Sequence, residues 1–193
     1  MRPLVASRRE VATLVRSRQL LLLTQAVFFG ALAICLIIDD GRTARIDGIS
    51  YYGVYHRTIF VLATGYLVSA AGLFRTAQYF TETDAPLLLR RGLQLVGFGL
   101  FALLFTPFTW SSFFNWTHMT IGVSVALTQS AMTILLLTRR RSLATAGAFS
   151  IQLIGGLLAA ASLPDWNVPY LLQGQTLFEV GFAWSLIEWT RTL

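Results

Sequence analysis

One carboxylate, Glu179, stands inside "GQTLFEVGFAW", residues 174–184, an otherwise apolar run. A carboxyl group in such a place suits two tasks: carrying a proton, or making a polar contact to a bound ligand. Bonded to an amide, it would instead hold neighbouring helices in register. Two amides fit that pairing. Glu179 lies nine residues past Tyr170 and Gln152 nine past Leu143, which as helices puts each about 13 Å into its segment. Gln129 reaches a similar depth in a third segment, so the three side chains can share one midplane. A second group sits at segment ends. His56 in "YYGVYHRT" and His118 in "NWTHMT" each open an apolar run, with Asp39, Asp40, Asp47, Asn115 and Asp165 in the adjoining connections. Two imidazoles with carboxylates are the residue types that hold a water-activating metal, His56, His118 and Asp47 being the set. No HExxH, HxxxH or cysteine ligand accompanies them, so neither a metal nor a haem or other cofactor is assigned.

The elements that must position these residues are membrane helices. Of 193 residues, 55% are hydrophobic and 12% charged, and the mean hydropathy is +0.63, too apolar for a soluble domain of this size. The formal charge of +6 comes from fifteen arginines with no lysine. In a membrane protein such an excess reports topology before it reports nucleic acid, and no basic surface interleaved with stacking aromatics suggests a nucleic-acid partner. The lone Cys35 has no disulfide partner, and the apolar run around it continues, which argues against a lipoprotein or a cleaved signal.

Six apolar segments follow one another: Leu20 to Ile38, Thr58 to Phe74, Gly92 to Phe108, Thr117 to Thr138, Leu143 to Leu163, and Tyr170 to Trp189. The fold class predicted is all-α, a polytopic six-transmembrane-helix bundle over 20–193, preceded by a basic cytoplasmic segment over 1–19. With both termini on the cytoplasmic side of a cell membrane, only Arg42, Arg45 and Arg57 of the fifteen arginines fall outside, where Asp39, Asp40 and Asp47 accompany them. The N-terminal segment, with Leu4, Val11, Leu14 and Val15 on one helical side, suits an anionic inner leaflet, or else a simple cytoplasmic extension with snorkelling arginines. The inner connection "TETDAP" offers a cap or turn. Small residues four apart mark packing ridges: Ala26 and Gly30; Gly65 and Ser69; Gly122, Ala126 and Ser130; Gly155 and Ala159. The last also offers a homo-oligomer face. Pro107, near the end of the third segment, interrupts it.

The order of features, "DGISYYGVYHRTIF", "GLFRTA", "NWTHMTIG" and "GQTLFEVGFAW", resembles bacterial six-helix membrane proteins grouped as domain of unknown function 998, and distantly the Frag/DRAM/Sfk-type proteins. Ile49, Ser50 and Gly53 match an outer motif of those families, His118 a histidine opening the fourth span, and Phe178 with Glu179 an aromatic and polar pair in the last. "FTPFTW" stands where the families carry an acid near the end of the third span. The resemblance implies a role with lipid. The first functional reading is therefore a non-enzymatic helper or regulator that binds or organises membrane lipid, with Ser50, His56, Asn115 and His118 near the head group and Gln129, Gln152 and Glu179 deeper. Two alternatives stay open: an enzyme acting on a lipid head group at the outer face, with His118 as base or ligand, and a small proton-coupled transporter using Glu179. Membrane lipid, a second copy, or a larger membrane complex are the partners expected.

Overall fold

The computed structural model describes residues 8–80, 85–162 and 168–191. Within them the chain is all-helical, with no strand: α1 (Arg8–Ile38), α2 (Ala44–Asp47), a 3-10 helix (Ile49–Gly53), α3 (Ile59–Tyr79), α4 (Leu87–Leu103), α5 (Ser112–Arg139), α6 (Leu143–Ala161) and α7 (Leu171–Trp189). Four of these, α1, α3, α5 and α6, are long and apolar enough to cross a membrane. The other two long helices fall short on length or polarity. The 17 residues of α4 span about 26 Å, and α7 carries Gln173, Gln175, Glu179 and Glu188.

Local chemistry explains where the helices begin and end. No proline or glycine interrupts the chain from Arg8 to Phe29, so the basic stretch and the first apolar run form one rod of 31 residues, about 46 Å long. Leu4 and the "TETD" turn lie outside the described residues. The third segment, expected at Gly92 to Phe108, is helical at Leu87–Leu103 instead. Pro107 is the cause: it lacks an N–H and disfavours helical geometry at Thr106, so the helix stops before it. In contrast, α5 starts earlier than expected because Ser111 caps it, its Oγ accepting the N–H of Phe114 at 3.3 Å. A capping box between Ser142 and Thr145 opens α6.

Helix α1 packs on α3, α3 on α4, α4 on α5, α5 on α7 and α7 on α1, which closes a ring of five helices. Helix α6 lies outside that ring, mainly against α7 and also touching α5. Two apolar clusters fill the ring. One, around Phe28, Cys35, Tyr52, Leu62 and Leu172, lies toward the end that carries α2. The other, around Leu73, Leu93, Met132, Phe182 and Leu186, fills the opposite half.

Helices α6 and α7 meet backbone to backbone. A Cβ on Gly155 would fall on the amide of Phe178, one on Gly174 on the amide of Ala159, and one on Gly181 on the amide of Gln152. The ridge of Gly155 and Ala159 is thus spent within the chain. Gly65 similarly meets Ala31 of α1, whereas Gly30 faces open space. Gly174→Leu should force α6 and α7 apart and lower stability by about 1–3 kcal/mol, read as a fall in melting temperature in detergent. Gly30→Ala, whose Cβ meets nothing, should melt no lower than the wild type.

Candidate functional site

Two polar sites are built on α7. Leu172, Gln175, Glu179, Phe182 and Leu186 recur at spacings of three and four and form one stripe of this helix. Leu172, Phe182 and Leu186 are buried in the two apolar clusters, which turns Gln175 and Glu179 the same way.

At the centre of the ring, the Gln129 amide of α5 donates to both Glu179 oxygens, at 3.1 and 3.0 Å. One step toward the opposite end, Thr133 Oγ1 donates to Ser185 Oγ at 3.1 Å and continues the seam between α5 and α7. Beside the Gln129–Glu179 pair is a cavity lined by Gln25, Phe28, Ser69, Leu73, Val96, Leu100 and Phe182, so all five ring helices reach it. It has room for about one water. Ser69 Oγ and Gln129 Oε1 are buried without a hydrogen-bond partner.

Gln152 does not join this pair. It is buried, and neither atom of its amide group meets a partner. The reason is the rotation of α7: Gln152 packs at Gly181, and Glu179 projects about 160° around the helix from there. The midplane cluster expected from three helices is a pair from two.

The second site lies at the α2 end. Because α4 ends ahead of Pro107, the Thr106 carbonyl has no place in a helical ladder, and His118 Nδ1 meets it at 2.7 Å. A carbonyl only accepts, so this partner assigns the proton to Nδ1 and leaves Nε2 as an acceptor. Ser50 Oγ lies 2.7 Å from that Nε2 and donates to it. Phe108 packs against the ring at 5.8 Å.

Ser50 is placed by its own loop. Gln175 Oε1 accepts the N–H of the preceding residue, Ile49, at 2.7 Å. Gly48 makes this possible: its φ of 73° and ψ of −165° belong to glycine, and a Cβ there would strike the Gln175 amide. A second water-sized cavity adjoins Ser50 and His118, walled by Leu62, Tyr66, Leu103, Leu104 and Pro107.

The remaining sequence candidates are elsewhere. His56 is exposed, its ring edge on Tyr55 with centroids 4.8 Å apart. Since α3 starts only at Ile59, His56 stays in the preceding turn and does not pair with His118. Asn115 is exposed in the first turn of α5. Asp40 makes an exposed ion pair with Arg42 at 2.7 Å, and Asp39 accepts the N–H of Gly41 at 3.3 Å. Asp47 is half-buried at the end of α2. Asp165 lies outside the described residues. Among the described residues no three of His, Cys, Asp and Glu gather where they could hold a metal ion, so His56, His118 and Asp47 do not form the set that their types suggested.

Thr106 and Gln175 were missed by reasoning from sequence. Pro107 was the available signal for the first, since a helix that must stop leaves a free carbonyl. Nothing local marks Gln175. Compared with protein-family models, curated proteins and solved structures, the chain matches none.

Replacing Gln129 with Leu should leave the Glu179 carboxyl facing apolar walls and cost about 1–3 kcal/mol. Adding Glu179→Leu should return much of the loss, and a double-mutant cycle of unfolding free energies measures that coupling. A pair with no register role would show additive effects. Burial holds the Asp47 carboxyl above its usual value of 3.8. The folded chain therefore keeps this proton to higher pH than the unfolded chain, and its contribution to stability falls as pH rises from that value through the raised one. Asp47→Asn should flatten the melting-temperature profile over that acidic window.

Proposed function

We propose that α1, α3, α4, α5, α6 and α7 are the six crossings of a cell-membrane protein with cytoplasmic termini, and that it binds or organises membrane lipid at its α2 end, which faces outward. Charge supports the orientation. Arg16, Arg18, Arg75, Arg90, Arg91, Arg139, Arg140, Arg141 and Arg191 fall at the opposite end, where the positive-inside rule puts the cytoplasm. The exposed rings of Trp110, Trp116 and Tyr170 mark an interfacial belt at the α2 end.

The observation that carries the lipid reading is the Ser50–His118–Thr106 chain beside an apolar-walled cavity. A lipid presents this combination: polar head-group and ester atoms next to hydrocarbon. Since each cavity holds about one water, only a small polar group enters. The acyl chain lies on the apolar exterior, where the tilted rings of Phe101 and Phe105 meet with centroids 5.0 Å apart, next to Thr106. The Gln129–Glu179 pair then serves the bundle by fixing α5 against α7. The distant resemblance of the sequence to the Frag/DRAM/Sfk-type proteins points to the same class of ligand.

Native mass spectrometry of the chain released gently from detergent tests this reading. The wild type should retain a discrete lipid mass. His118→Ala, which removes a hydrogen-bonding partner worth about 1–1.5 kcal/mol, should lower the retained fraction roughly tenfold while the melting transition persists. A bare wild-type chain, or retention indifferent to His118→Ala, would sink the proposal.

A further inference from the structure

The contact between Ser50 and His118 has the geometry of an activated nucleophile. In such pairs a hydroxyl bonds to the basic nitrogen of an imidazole whose other nitrogen is held by an orienting acceptor. Ser50 Oγ stands 2.7 Å from Nε2, and the Thr106 carbonyl holds Nδ1 at 2.7 Å, which keeps the ring in the tautomer able to take the serine proton. Both side chains are only partly buried, and both line the small cavity at the α2 end. His118 sits two residues from the exposed Trp116, at the level where an aromatic belt meets the lipid interface. Ester carbonyls of a glycerolipid lie at that same boundary between head groups and hydrocarbon.

We infer that Ser50 is a nucleophile for acyl transfer from a lipid ester, with His118 as its general base and Thr106 as a positioning residue acting through its carbonyl. This rests on the lipid reading above and adds a reaction to it. Ser50 Oγ attacks the ester carbonyl carbon as its proton passes to His118 Nε2. The tetrahedral intermediate collapses, the carbon–oxygen bond to the glycerol side breaks, and the leaving alkoxide takes the proton from Nε2–H. The acyl group stays on Ser50. Water then attacks the acyl-serine, giving its proton to Nε2, and the acid departs as Ser50 recovers the proton. Nothing is oxidised or reduced, and the ring returns to its starting tautomer. Gln175 is a second positioning residue, since its bond to the Ile49 amide fixes the loop that carries Ser50.

A long-chain alkyl fluorophosphonate, which transfers its phosphorus to an activated serine with loss of fluoride, tests the assignment on the full chain in phosphatidylcholine nanodiscs. Intact mass and peptide mapping should find one adduct per wild-type chain, on Ser50. Labelling should be absent in Ser50→Ala and slowed about 100-fold in His118→Ala, and it should fall as pH is lowered and the imidazole gains a proton. The wild-type result decides without any variant. No adduct on Ser50, while an added serine hydrolase is labelled in the same discs, overturns the chemistry; so does a rate that His118→Ala leaves unchanged in a sample that still melts cooperatively. Lipid retained in native mass spectra of unlabelled protein separates the two readings: lipid without an adduct leaves binding standing and removes the reaction.

Discussion

The close approach of α6 and α7 sets the geometry of the rest. At Gly155, Gly174 and Gly181 the two backbones leave no room for a Cβ, and where lipid supplies no hydrophobic drive between helices, contact this close is a principal source of association. It also fixes rotation. Once Gly174 and Gly181 face α6, the stripe of Leu172, Gln175, Glu179 and Phe182 must face the five-helix ring. A rotation of about one residue would drive side chains into α6 and pull the stripe off the ring.

Both polar sites follow from that rotation. Gln175 and Glu179 are one turn apart on the same stripe, one reaching the loop before Ser50 and the other reaching Gln129. The centre of the ring and the loop at its α2 end are therefore tied to one helix. Gln175 and Glu179 keep a fixed spacing along α7, so the loop amide and the central pair are both referenced to one helix.

The histidine site depends on a different rule: backbone polar groups near hydrocarbon must find partners. Ending α4 before Pro107 leaves the Thr106 carbonyl outside any helical ladder, and the His118 ring supplies the missing donor. The same bond fixes the tautomer and so the acceptor that Ser50 meets. A helix terminus, a proline and an imidazole thus settle one another's chemistry through neutral partners.

Much of this was legible in the sequence. Long apolar runs near hydrocarbon satisfy their own backbone as helices, so the helices of the described residues, four of them long and apolar enough to cross a membrane, follow from composition and length. Pro107 marked an interruption of the third segment, and the small-residue spacing at Gly155 and Ala159 marked a packing ridge, whereas the caps at Ser111 and Ser142 emerged only with the structure. The depth of Glu179, Gln129 and Gln152 was legible too, because rise per residue is fixed. Which of them meet was not, because depth says nothing about rotation, and the glycines of α7 put Gln152 on the far side of the helix from Glu179. Nor was it legible that His118 would choose Ser50 and Thr106 over His56 and the aspartates. That choice is made where α4 ends and where Gln175 holds the loop, through contacts between residues 68 and 126 positions apart. The sequence by itself determined the helices and their depths through local chemistry; the tertiary structure decided the partners, because only packing sets the rotation of one helix against another.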